Sequence, residues 1–119
     1  LAVREAQIAI EAHRELNDPV RVTEDQRILA NALAAEGKME EATSLLLDVI
    51  AQSELFSRPL LLGIAQRDLA QLAFRRGHLQ EGRNLAKHAR GILDRLGARV
   101  EVEKLDLLLS QPAGPARVS

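Results

Sequence analysis

Apolar and polar positions follow a helical rhythm along this chain, and the rhythm itself recurs. Met39, Ala42, Leu46, Val49 and Ile50 fall at the three-and-four spacing of one buried stripe. Leu79, Gly82, Ala86, Ala89 and Leu93 repeat that stripe 40 residues later. No stretch alternates with the period of a strand over a useful length. The pattern predicts six helices, over roughly residues 2–16, 20–36, 39–56, 60–76, 79–96 and 99–110, in an all-α fold of antiparallel helical hairpins.

The interruptions have physical causes. Gly37 and Gly77 stand just past helical stretches, where a left-handed residue closes a helix without a Cβ clash. Pro19 and Pro59 sit at helix starts, where a missing N–H costs nothing. The same shift of 40 aligns Leu29 with Leu69, Ala30 with Ala70, Met39 with Leu79 and Glu41 with Glu81. It also generates the series Val20, Leu60, Val100 and Leu16, Phe56, Leu96. Agreement in size and polarity over helix-length stretches marks an internal repeat. One domain is expected over residues 1–110, made of a partial repeat 1–18, repeats 19–58 and 59–98, and a final helix 99–110. Residues 111–119, with two prolines and a glycine, are expected to form a flexible tail.

Two segments, "LANALAAEGKMEEA" and "LAQLAFRRGHLQEG", resemble the tetratricopeptide repeat: a helix ending in glycine, a hydrophobic residue two on, and a small residue five on from the glycine. Leu29/Leu69, Ala30/Ala70, Gly37/Gly77, Met39/Leu79 and Ala42/Gly82 occupy the matching places. The period is longer than the usual one of about 34 residues. This variant resembles the repeats of large bacterial transcriptional regulators of the maltose-activator type, and those of kinesin light chains. Gln26 and Gln66 depart from the signature, which prefers a large aromatic there. Gly82 departs where Ala is preferred, a difference of about 1 kcal/mol in helix propensity.

The resemblance implies a short solenoid whose first helices line a concave face. That face would carry Arg27, Arg67 and Arg75 for carboxylates, Asn31 and Gln71 for a peptide backbone, and Phe74 as an apolar anchor. The function expected is a non-catalytic protein–protein interaction module, binding a peptide, a partner protein or a neighbouring domain. Because Leu1 opens in mid-pattern, the chain is expected to be a fragment of a larger protein, and the resemblance implies that this is a bacterial regulatory one. The alternative is homo-oligomerisation through terminal faces at Ala2/Ala6/Ala9 and Val102/Leu105/Leu109, left without covering helices.

Composition narrows the remaining classes. The chain has 119 residues, a formal net charge of −1, no cysteine and 2% aromatics. Disulfides and thiolate metal sites are thereby excluded. Base-stacking platforms are missing too, so nucleic acid is the weakest partner class. No apolar run reaches the roughly 20 residues of a membrane span, and Arg4, Glu5 and Glu11 interrupt any signal-peptide core. A cytoplasmic setting without membrane contact is expected. The three histidines, His13, His78 and His88, lack ligand spacing, so no metal or cofactor is expected. Ser44, Ser53 and Ser57 have no adjacent base, so no catalysis is expected either. Charge is unevenly spread: residues 1–60 hold 6 Lys/Arg and 11 Asp/Glu, a net of −5, while residues 61–100 hold 8 and 3, a net of +5. An acidic partner, or contact between acidic and basic ends of two copies, would suit that division.

Overall fold

In the computed structural model, which describes residues 2–110, the chain forms six α-helices and, among those residues, no strand. They are α1 Ala2–Glu15, α2 Pro19–Ala35, α3 Met39–Leu55, α4 Pro59–Arg75, α5 Leu79–Arg95 and α6 Arg99–Leu109. Each boundary lies within one residue of the periodicity reading. The expected tail over 111–119 lies outside the described residues.

One turn design closes five helices. The left-handed position is Asn17 (φ 53°), Gly37 (φ 87°), Ser57 (φ 53°), Gly77 (φ 82°) and Gly97 (φ 71°), one every 20 residues. At each turn the residue after it donates its N–H to the third-last helical carbonyl: Asp18 to His13, Lys38 to Leu33, Arg58 to Ser53, His78 to Ala73 and Ala98 to Leu93, all at 2.8–3.0 Å. These bonds satisfy carbonyls that the helix end would leave bare. Every following helix starts at the second residue past the left-handed one, with Pro19 and Pro59 in first position. Only glycine takes this conformation without Cβ strain, and Asn tolerates it better than Ser. Ser57→Gly is therefore expected to raise stability by about 0.5–1 kcal/mol. The midpoint of urea unfolding would report the change, and a lowered midpoint would show that the Ser57 turn is unstrained.

Successive helices pack antiparallel, each against the next. In addition α2 meets α4 and α4 meets α6, whereas α1, α3 and α5 make no such close approach to one another. The even-numbered helices therefore form the inner layer of a curved stack and the odd-numbered helices its splayed outer layer. Its dimensions are 52 × 33 × 21 Å. The burial pattern of residues 39–50 recurs at 79–90, with Ala42/Gly82, Leu46/Ala86 and Val49/Ala89 buried, Leu45/Leu85 half-buried against the core, and Ser44/Asn84, Leu47/Lys87 and Asp48/His88 exposed.

The two hairpins fill their cores differently. In the first, Ala34 packs with Ala42 and Leu46. In the second, Phe74 stands in Ala34's place, and Gly82 and Ala86 replace the larger pair. A Cβ added at Gly82 would come within 3.1 Å of the Phe74 ring and 3.2 Å of the Ala70 carbonyl. The loss of helix propensity at Gly82 thus has a compensation: it admits the Phe74 ring and a close approach of α4 and α5. Gly63, nearer the start of α4, plays a similar part, since a Cβ there would meet the Leu93 side chain at 2.7 Å.

At the signature's aromatic position, polar groups take over. Gln66 is buried, with its Oε1 3.0 Å from His88 Nδ1. Gln26 Oε1 is buried without a partner, close to Gln52, whose own Oε1 accepts from the Thr23 hydroxyl at 2.8 Å.

Candidate functional site

The inner face is built around one buried carboxylate. Asp68, on α4, has a side chain only 4% exposed, and three donors converge on it. Arg27 Nη1 of α2 lies 2.5 Å from Oδ2, Asn31 Nδ2 lies 3.1 Å from the same oxygen, and Arg67 Nη2 lies 3.2 Å from Oδ1. The other guanidinium nitrogen of Arg67 donates to Glu101 on α6. A chain of alternating charge thus crosses all three inner helices. A buried charge is tolerable when its lone pairs are filled by opposite charges and donors, as here.

This arrangement changes the expected roles of two site residues. The resemblance implies that Arg27 and Arg67 face a partner's carboxylates, but both are committed to carboxylates of the chain itself, and the Arg67 side chain is only 13% exposed. The repeat offered a signal for it. Positions 28, 68 and 108 hold Ile, Asp and Leu, so a lone acid interrupts an otherwise apolar series. A charge written into such a series implies a partner close by.

The other four expected residues come together. Asn31, Gln71, Phe74 and Arg75 line one cleft of about 390 Å³, alongside Ala34, Asp68 and Leu108. Gln71 is exposed, Phe74 is half-buried, and Arg75 reaches across to within 3.3 Å of the Ala34 carbonyl. Two amides that can both donate and accept, one guanidinium and one aromatic face suit an extended peptide with an acidic or carboxylate group. A second open cleft of about 780 Å³ is lined by apolar side chains, among them Val20, Ile28, Leu60 and Ile64, together with Arg27 and Arg58.

The terminal faces behave otherwise than expected. Val102 and Leu105 are buried beneath α4 and α5, Leu109 is half-covered, and Ala6 is buried, leaving Ala2 as the exposed member of the two sets. Where α4 turns Gly63, Gln66 and Ala70 toward the following helix, α6 presents Glu103, Asp106 and Ser110, all exposed. Asp106 accepts from Arg90 Nε at 2.6 Å, and that hydrogen bond holds its carboxyl below the usual aspartate value. Self-pairing through the α6 face would bury these polar groups along with the exposed Leu107.

Two of the histidines pair with neighbouring helices: His13 Nδ1 contacts the buried Asp25 carboxylate and His88 meets Gln66. The third, His78, lies 3.7 Å from Glu81 at the exposed start of α5. Among the described residues no group of three or more His, Asp or Glu is placed to hold a metal ion, and no helix is long and apolar enough to cross a membrane.

No family model matches the sequence, and comparison with curated proteins finds no match. Among solved structures the chain is similar to BtubC (BKLC) from P. vanneervenii, with a TM-score of 0.73 and 24% identity. The likeness covers 91% of this chain but only 46% of that one, so the chain spans less than half the length of its structural relative. At that identity the relation is one of fold: a six-helix, all-α stack with a helical-repeat-like neighbour.

Proposed function

We propose that this chain is a tetratricopeptide-like interaction module, non-catalytic, that holds an extended segment of a partner protein in the cleft of its inner face. It would serve as part of a larger regulatory protein, in a cytoplasmic setting. The observation that carries the reading is the convergence of Asn31 of α2 and Gln71, Phe74 and Arg75 of α4 on one concavity, which brings amide, ring and cation chemistry together. Asp68 supports it from beneath, since its bond to Asn31 sets the orientation of that amide. Arg75 supplies the positive charge that favours an acidic segment.

The test uses a random peptide library displayed against the full chain, followed by affinities for the selected peptides. Gln71→Lys and Arg75→Glu are each expected to weaken binding at least about tenfold. Arg14→Glu, outside the cleft, should leave it unchanged. Circular dichroism should be the same for all three. Equal binding by the two cleft variants and by Arg14→Glu would remove the cleft from consideration. Arg67→Glu is unsuited to this purpose, because it places a carboxylate against Asp68 and Glu101 and disturbs the fold itself.

A further inference from the structure

The second cleft gathers apolar side chains that water would otherwise surround. Ile28 of α2, Leu60 of α4 and Leu96, just past α5, are each about half exposed, and all three line it beside Val20 and Ile64. Exposed apolar groups collected in one concavity mark a surface that another molecule covers.

Charge separates this cleft from the first. Arg27, Asp68, Arg67 and Glu101 cancel among themselves. What remains at the second cleft is Glu24 and Arg58, of opposite sign, both exposed and without an ion pair among the described residues. What remains at the first is Arg75 alone, which meets the Ala34 carbonyl but no carboxylate. One cleft is therefore apolar with balanced charge, and the other is cationic. Both lie along α2 and α4: the apolar one takes residues 20–28 and 59–64, the cationic one residues 31–35 and 68–75.

From this we infer that a single extended partner segment occupies both clefts, with an apolar side chain in the second and a carboxylate at Arg75, about five to seven residues apart. The inference rests on the proposed function and adds the sequence pattern of its ligand. Spacing comes from the scaffold. Ile64 and Leu60 lie about 16 and 22 Å from Arg75 along the axis of α4, which an extended chain crosses at about 3.3 Å per residue. Asn31 and Gln71 favour an extended chain over a helix, because their amides pair with peptide groups that a helix keeps for itself. Charge complementarity assigns the two anchors to their places. A carboxylate in the second cleft would lose water against apolar walls and Glu24, and an apolar side chain at Arg75 would leave that cation without a counter-charge.

The test uses peptides selected from the displayed random library on the full chain. Each is remade with its apolar residue changed to serine, and separately with its acidic residue changed to the amide. They are measured against the wild type, the double variant Ile28→Gln/Leu60→Gln, and Arg75→Glu. Ile28 and Leu60 are both on exposed helix surface, and circular dichroism checks that each variant folds. Selected peptides are expected to share an apolar and an acidic residue at the stated spacing. The serine change and Ile28→Gln/Leu60→Gln should each weaken binding about tenfold, and together by no more than about twofold beyond either alone. The amide change should be non-additive in the same way with Arg75→Glu, and additive with Ile28→Gln/Leu60→Gln. Binding that Arg75→Glu weakens and Ile28→Gln/Leu60→Gln leaves unchanged overturns the two-cleft segment while the proposed function stands. Binding indifferent to both variants, or a library that yields no binder, removes the two together. A chain that dimerises in sedimentation equilibrium, and is made monomeric by Ile28→Gln/Leu60→Gln, gives the second cleft to another copy and also overturns the inference.

Discussion

Replacing Asp68 by alanine is expected to lower the unfolding free energy by about 3–4 kcal/mol, the range for breaking a buried ion pair by removing one partner. The loss exceeds that of any surface pair in the chain. Its carboxylate is nearly inaccessible, and it answers Arg27, Asn31 and Arg67 together. Without it Arg27 loses its carboxylate and faces the Arg67 cation across the α2–α4 seam. Arg67 keeps Glu101, and Arg27, 25% exposed, can regain some water, which holds the estimate below the upper end of the range. By contrast, removing Asp106 from its exposed pair with Arg90 should change little, since surface ion pairs contribute on the order of 1 kcal/mol or less. Urea unfolding of the two variants provides the comparison. Equal midpoints for Asp68→Ala and Asp106→Ala would show that the inner charges are solvated and independent.

Enlarging Ala70 to leucine is expected to cost about 3 kcal/mol, the upper part of the range for overpacking. Ala70 has no solvent exposure, and its own carbonyl lies where a Cβ on Gly82 would come within 3.2 Å. The α4 and α5 backbones are therefore already as close as a glycine permits. Three further carbons can enter only by forcing the helices apart, which would also uncover Phe74 and Leu93. Ala70→Ser, close to isosteric, should cost less than half as much. An unchanged melting temperature for Ala70→Leu would mean that the seam has slack the structure does not show.

Much of this architecture could be read from the residues, because helix period, glycine turns and proline starts act over short range. The six helices and the buried stripes of α3 and α5 follow from those signals alone. Asn17 and Ser57 are not legible as turn residues, since neither carries the steric exemption that makes Gly37 and Gly77 conspicuous. The inner charge chain is hidden in the sequence for a different reason. Arg27, Asp68 and Glu101 lie far apart in sequence, and only the stacking of alternate helices brings them together. Gln71, Phe74 and Arg75 share one face of α4 at helical spacing, which needs no long-range information, whereas Asn31, on α2, joins them only through the stacking of alternate helices.

The uniform turns have a consequence for how such a chain can change. Excising residues 38–77 would join Gly37 directly to His78, in the same left-handed geometry and with the following helix in register. The shortened chain would nevertheless carry a void. Ala34 would now face Gly82 and Ala86, and the ring that fills that space in the longer chain would be gone. The backbone is written in interchangeable units, while the side chains record which unit was born beside which. Duplication or loss of a hairpin is thus easy to accommodate in geometry, and it must be followed by repacking at position 34 or 74 before the joined halves share one core.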